Sequence, residues 1–195
     1  GADVTAIVEC GQALVCSLIY NVIKIEIKWE DLTYDGLQKA MQYCDLSETF
    51  DTIIERSPPE WVQSYVKSAN ILYRNYKMLG TPVYFHRGSK FMNEVYSGKK
   101  IVFDADKKSD RPQAPGSFSD DKWNPGDIWM TTLKTVPKIS TDSWSSLNKD
   151  IYDLARAKKL VGVSLKKVGA SAHIEEYNAL SAKQTKEYRY ASFRV

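Results

Sequence analysis

The chain opens with its most continuous apolar pattern. In residues 5–20 (TAIVECGQALVCSLIY), Ile7, Val8, Leu14, Val15, Leu18 and Ile19 recur at helical spacing. Asp3 or Thr5 offers an N-cap, so a buried helix is expected. Glu9 and Gln12 interrupt this segment three residues apart, on one helical face. A lone helical glutamate ordinarily sits in solvent at the edge of the apolar stripe; the other reading turns Glu9 into a cleft. Residues 22–29 (VIKIEIKW) then alternate, with Ile23, Ile25, Ile27 and Trp29 on one side and Lys24, Glu26 and Lys28 on the other. That pattern predicts a half-buried strand, with a continued helix as the alternative.

Residues 33–79 read as helical. One segment runs from about Tyr34 to Cys44, a short one from Leu46 to Glu55, and a longer one from Pro59 to about Leu79. Trp61, Tyr65, Ala69, Leu72 and Tyr76 lie along one stripe of the last, and Gly80 and Pro82 stop it. Next come a short strand at 83–85, a turn at His86-Arg87-Gly88, a helix over 89–97 and a strand over 100–103. His86, Arg87 and Lys90 gather near that helix start, where a phosphate or plain solvent can face them. Residues 104–121, with Pro112, Pro115 and Gly116, form a polar loop.

The most informative stretch is Asn124-Pro125-Gly126-Asp127-Ile128-Trp129-Met130. The Asn-Pro-Gly turn delivers an aspartate to the start of an apolar strand, at the rim of a sheet. After a helix over about 144–158, capped at Thr141-Asp142-Ser143, a second apolar strand follows: Leu160-Val161-Gly162-Val163-Ser164-Leu165-Lys166-Lys167. A helix is expected over about 172–180, with His173, Glu175 and Glu176, and a basic final strand over 183–195. This order predicts one domain over 1–195 of α/β (α+β) class: a central mixed sheet flanked by helices.

Composition narrows the function. Of the 195 residues, 27 are Lys or Arg and 24 Asp or Glu, a net charge of +3, so any polyanion site has to come from local clustering. Three cysteines without CxxC spacing argue for a reducing, intracellular compartment and against a disulfide framework or structural zinc. Two histidines leave little for a His-rich metal site. The apolar runs look too short to span a membrane, no leader is visible, and no membrane partner is expected. The chain opens Gly1-Ala2 without methionine, as a piece of a longer protein would. No P-loop or dinucleotide fingerprint occurs, nor a Ser/His/Asp or Cys/His arrangement.

An acid at one strand start and Ser-x-Lys at the end of the next suit phosphodiester hydrolysis, which needs a divalent cation to activate water. Magnesium takes one or two carboxylates together with water and substrate phosphate. Asp127 is the natural ligand, the Leu165 carbonyl a second, and Glu9 a third, direct or through water. Lys166, on the same sheet face as Ser164, would hold the attacking water or offset charge. These residues resemble the PD-(D/E)XK nuclease superfamily, the restriction-endonuclease-like fold. Glu9 matches its first-helix acid, Asn124-Pro125-Gly126-Asp127 its first strand motif with a glycine inserted, and Val163-Ser164-Leu165-Lys166 its second. Ser164 stands where the family carries an acid, and Glu175 or Glu176 is a candidate replacement. The resemblance implies a Mg²⁺- or Mn²⁺-dependent nuclease acting on DNA or RNA through Asp127, Lys166, Glu9 and Ser164. Substrate contacts are expected from Gln12, Lys167, Arg87 and Lys90, with residues 31–80 a mainly helical insertion. The competing expectations are a catalytically degenerate nucleic-acid-binding or structural module on the same fold, and an unrelated interaction domain using the aromatic helix at 59–79.

Overall fold

The apolar N-terminal stretch folds into helix α1 (Val4–Ser17) in a computed structural model that describes residues 4–114 and 116–164. The helix and strand expected beyond residue 171 lie outside these residues, as do Leu165, Lys166 and Lys167. A π-helical turn, Leu18–Ile23, extends α1. Every residue from Cys10 to Tyr20 is buried, as a helix apolar on all sides must be. The extension corrects one expectation. Val4–Ile23 is a 20-residue run long and apolar enough, by length and composition, to cross a membrane, yet 78% of its most apolar window is buried inside the fold.

The run ends at Lys24, whose backbone turns left-handed (φ 62°) and whose N–H bonds Ile19 O at 2.8 Å. The strand expected over 22–29 does not form. The backbone there is met by side chains: Asn70 accepts from Ile27 N–H at 2.9 Å and donates to Ile27 O at 2.7 Å, and Tyr73 donates to Lys24 O at 2.5 Å. Ile25 is left 64% exposed and Trp29 48%, so the alternation has no second layer to pack on.

Helix α2 (Tyr34–Met41) starts at the Thr33 cap. Strand β1 (Cys44–Leu46) follows, within a block expected to be wholly helical; three residues are too few to display a period of two. Helices α3 (Phe50–Arg56) and α4 (Pro59–Asn75) form the crossover that a parallel pairing of β1 with β2 (Tyr84–Arg87) requires. The 31–80 block thus supplies part of the sheet and the cover of α1. Helix α4 ends before Gly80, at Asn75, because the Tyr20 hydroxyl takes the carbonyls of Leu72 and Tyr76, at 3.1 and 2.6 Å.

Residues 100–103, expected as a strand, belong to helix α5 (Lys90–Asp106). Ser89 caps its start by accepting from Met92 N–H at 3.1 Å. Phe91, Val95, Gly98 and Val102 are buried along one helical stripe, and this longer periodicity prevails over the local β-branched run. At its end the buried Asp106 carboxylate accepts from Gln113 N–H at 2.9 Å and Ala114 N–H at 2.9 Å, bonds that hold its pKa below the usual carboxylate range. The buried Lys99 ammonium donates to Phe118 O and to Asp120 Oδ1. The polar loop is therefore fastened at both ends to α5.

Helix α6 (Asp120–Trp123), strand β3 (Ile128–Thr131), helix α7 (Trp144–Arg156) and strand β4 (Leu160–Val163) complete the described chain. The sheet order is β1-β2-β3-β4, with β3 antiparallel to both neighbours. Alternating side chains give each face its own core. Phe85, Ile128 and Met130 pack with α1 and α4; Trp129 and Leu160 pack with Phe91, Met92 and Val95 of α5 and Ile151 and Leu154 of α7. The fold is α+β, a mixed sheet flanked by helices, as its sequence predicts.

The closest seam is between α1 and α4, where a Cβ on Gly11 would stand 2.7 Å from the ring of Tyr65, itself buried. Gly11→Ala is expected to destabilise the fold by about 1–3 kcal/mol through overpacking, measured as a lower urea midpoint at unchanged m-value.

Candidate active site at the end of the sheet

The Asn-Pro-Gly turn seats Asp127 by close backbone packing. Asp127 N–H bonds Val163 O at 2.9 Å, one residue out of the register set by the Ile128–Val163 pair, so the chain bends against β4 at this point. A Cβ on Gly126 would come within 2.9 Å of Gly162 Cα, and one on Gly162 within 2.8 Å of the Asn124 amide. Both glycines therefore let the turn lie against β4. Asp127 ends opposite Ser164, whose hydroxyl donates to Asp127 Oδ2 at 3.3 Å.

The neighbouring strands end at the same level. Leu46 pairs with Arg87, and Ser47 N–H bonds Arg87 O at 2.8 Å. β2 and β3 pair as far as His86–Trp129, so the chain after Arg87 and the chain before Ile128 leave the sheet at the same end. Ser47 beside Gly88 and Asp127 beside Ser164 thus lie at one end of the four strands. Glu9 reaches this end from α1: Arg87 Nε donates to Glu9 Oε2 at 2.7 Å, and Arg87 Nη1 to Ser47 Oγ at 3.0 Å. Neither partner of the ion pair is more than 23% exposed, so Glu9 is not the solvated edge residue of the ordinary reading. Beside it, Cys10 Sγ lies 3.7 Å from Ser47 Oγ, and burial pushes its thiol pKa up. The cysteines are free thiols.

Other expected contacts are not brought here. Gln12 is buried, with its amide donating to Tyr65 O at 3.0 Å and Cys16 Sγ at 3.4 Å. It ties α1 to α4, because three residues along a helix turn a side chain about 60° away from Glu9. Lys90 stands in solvent, 3.8 Å from Glu94. The proposed His86-Arg87-Lys90 cluster is divided by strand alternation, which sends Arg87 toward α1 and His86 to the α5 face. There the His86 ring stacks on Phe91 at 4.5 Å, with Nδ1 3.8 Å from Asp45 Oδ2 and no hydrogen bond at either nitrogen. Ser47 was not foreseen, because it follows a strand too short to read.

Among the described residues no group of three or more His, Cys, Asp or Glu side chains is arranged to hold a metal ion. The donors facing each other at the sheet end are one carboxylate and one hydroxyl. Both are hard oxygen ligands, of the type magnesium and manganese accept.

Two predictions follow from this geometry. Gly126→Ala drives a methyl into backbone, and is expected to cost about 1–3 kcal/mol in urea unfolding; Asn124→Ala, which leaves the backbone approach intact, should cost less. Burial lowers the His86 pKa below its ordinary 6.5, and Asp45 only partly opposes this. The unfolded chain therefore takes up the proton more readily. Stability is complete above pH 6.5 and falls as pH drops through that value, with a slope of at most about 1.4 kcal/mol per pH unit. Unfolding at pH 7.5, 6.5 and 5.5 should show the decline, and His86→Phe, which preserves the ring stack, should flatten it.

No family model, curated protein or solved structure matches the chain.

Proposed function

We propose that this chain is a metal-dependent nuclease that hydrolyses phosphodiester bonds of DNA or RNA at the sheet end around Asp127. The observation that carries the reading is the meeting of the Asp127 carboxylate and the Ser164 hydroxyl, 3.3 Å apart across β3 and β4. A helix bearing Glu9, three successive antiparallel strands, an acid preceding the second and a Ser-x-Lys sequence following the third all support membership in the PD-(D/E)XK superfamily.

Asp127 and Ser164 would hold Mg²⁺ or Mn²⁺, and the carbonyl of the next residue in sequence, Leu165, would be a further ligand. Bound there, the cation would lower the pKa of water and draw charge from the phosphoryl oxygens. Asp127 supplies the fixed negative charge, and its Val163 backbone bond keeps the carboxylate at the rim. Ser164 orients that carboxylate by donating to one of its oxygens. A hydroxyl in place of the usual second acid leaves the site with less charge, and so with weaker cation affinity. Lys166 follows two residues after Ser164 in the sequence and would neutralise charge at the attacked phosphate. Glu9 is engaged with Arg87, so its contribution runs through the guanidinium.

The test is cleavage of labelled DNA and RNA with Mg²⁺, Mn²⁺ or EDTA. Metal-dependent cutting is expected, reduced at least about a hundredfold by Asp127→Ala and by Lys166→Ala at unchanged thermal unfolding. Ser164→Asp should lower the Mn²⁺ concentration for half-maximal cutting about tenfold or more. Cutting that ignores Asp127 would overturn the reading. Salt-sensitive nucleic-acid binding without cutting would favour the degenerate binding module, with Ser164 as its mark.

A further inference from the structure

Among the described residues at the sheet end, Arg87 is a cation held by two side chains, and it is not fully used. Its guanidinium carries five N–H donors in a flat fork. The Nε–H is taken by Glu9 at 2.7 Å and one Nη1–H by Ser47 at 3.0 Å. Nη2 donates to no atom among the described residues. The side chain nonetheless retains 23% of its exposure, so the fork is fixed at two of its nitrogens and open at the third.

Its place in the sheet says what the open side can meet. The bond to Ser47 draws the guanidinium to the sheet end that also carries Asp127 and Ser164. β1 and β3 flank β2, and strands lie about 4.8 Å apart, so the ends of β1 and β3 that carry Ser47 and Asp127 are about 10 Å from each other. Gly88, which follows β2 between them, has no side chain. Each strand of duplex DNA advances about 3.4 Å per phosphate, so a phosphate about three nucleotides from a bond at Asp127 comes level with Arg87. A guanidinium offers such a phosphate two parallel N–H bonds.

We infer that Arg87 is a phosphate clamp for a nucleic-acid strand flanking the scissile bond, and that Glu9 and Ser47 are its positioning residues. This rests on the nuclease reading for the identity of the strand, and it reassigns Glu9. The acid that the family resemblance would give to the metal instead presets the arginine. Held through Nε and Nη1, the guanidinium does not have to be ordered when substrate arrives, and its Nη1–Nη2 end is presented to the phosphate.

The experiment measures binding and cleavage separately. Anisotropy of fluorescein-labelled DNA duplex, single-stranded DNA and RNA is titrated in EDTA over a range of salt concentrations. Wild type is compared with Arg87→Met, Arg87→Lys, Glu9→Gln and the double variant Glu9→Gln/Arg87→Met. The double variant leaves no unpaired buried charge, so it stays folded even where Arg87→Met alone does not. The clamp predicts about tenfold weaker binding for the double variant and a salt slope shallower by about one phosphate contact. Arg87→Lys should restore the slope but not the full affinity, because an ammonium has no flat fork to give the phosphate two parallel N–H bonds. Glu9→Gln should raise KM while leaving the Mn²⁺ dependence of cleavage unchanged; a shifted Mn²⁺ requirement would return Glu9 to the metal and overturn its positioning role. Unchanged affinity and slope in a folded double variant would overturn the clamp even if Asp127→Ala abolishes cutting, as would a wild type that binds none of the probes. A wild type that binds through Arg87 but never cuts would sink the nuclease reading and leave the clamp standing.

Discussion

A helix with no polar side has to be covered on every side, and most of this fold is the means of covering α1. Eleven consecutive residues from Cys10 to Tyr20 are buried. The sheet covers one flank, α4 another, and α2 and α3 close the rest. Close approach substitutes for side-chain bulk where α4 crosses at Gly11. Three polar side chains of the buried run are matched: Gln12 to the Tyr65 carbonyl, Ser17 to the Ala40 carbonyl at 2.8 Å, Tyr20 to the end of α4. These bonds add direction to a hydrophobic seam that has none of its own. Glu9 is held at the margin of this covered region, where a carboxylate can be retained only because Arg87 meets it.

The chemistry is divided by the pleat of the sheet. Residues of one parity along β2, β3 and β4 face α1, and those of the other parity face α5 and α7. Arg87 and Glu9 come from the first side. Asp127 and Ser164 follow the parity of Trp129 and Leu160, on the second. The two sets approach each other only at the sheet's end, where the described strands stop. An interior position would keep them apart by the thickness of the sheet.

Elements with a long period were legible in the sequence. The stripes of α1, α4 and α7 and the apolar strands β3 and β4 could be read because each repeats its pattern several times. What failed was short, or was decided by contacts from outside the segment. Strand β1 has three residues. Residues 22–29 alternate as a strand does, but Asn70 and Tyr73 occupy their backbone groups. The second half of α5 carries a β-branched run that its cap and buried stripe override. At the site, the meeting of Asp127 with Ser164 could be anticipated from Asn-Pro-Gly-Asp and Gly-Val-Ser, because adjacent antiparallel strands bring one strand's start to the next one's end. The Glu9–Arg87–Ser47 set could not. Its members are 40 and 38 residues apart along the chain, and no local pattern encodes a pairing between a helix, a strand and the residue after an unrecognised strand.

The Asp106 carboxylate, by bonding the backbone of Gln113 and Ala114, makes residues 107–112 a closed excursion. Both feet of that arch are set by one side chain, so its length is uncoupled from the rest of the molecule. Closure entropy grows only logarithmically, by about 0.6 kcal/mol for each doubling of a loop. The arch is therefore a natural port for grafting: an epitope, a fluorophore site or a small domain can be spliced there while the path from Ala114 onward to the Asn-Pro-Gly turn keeps its anchor.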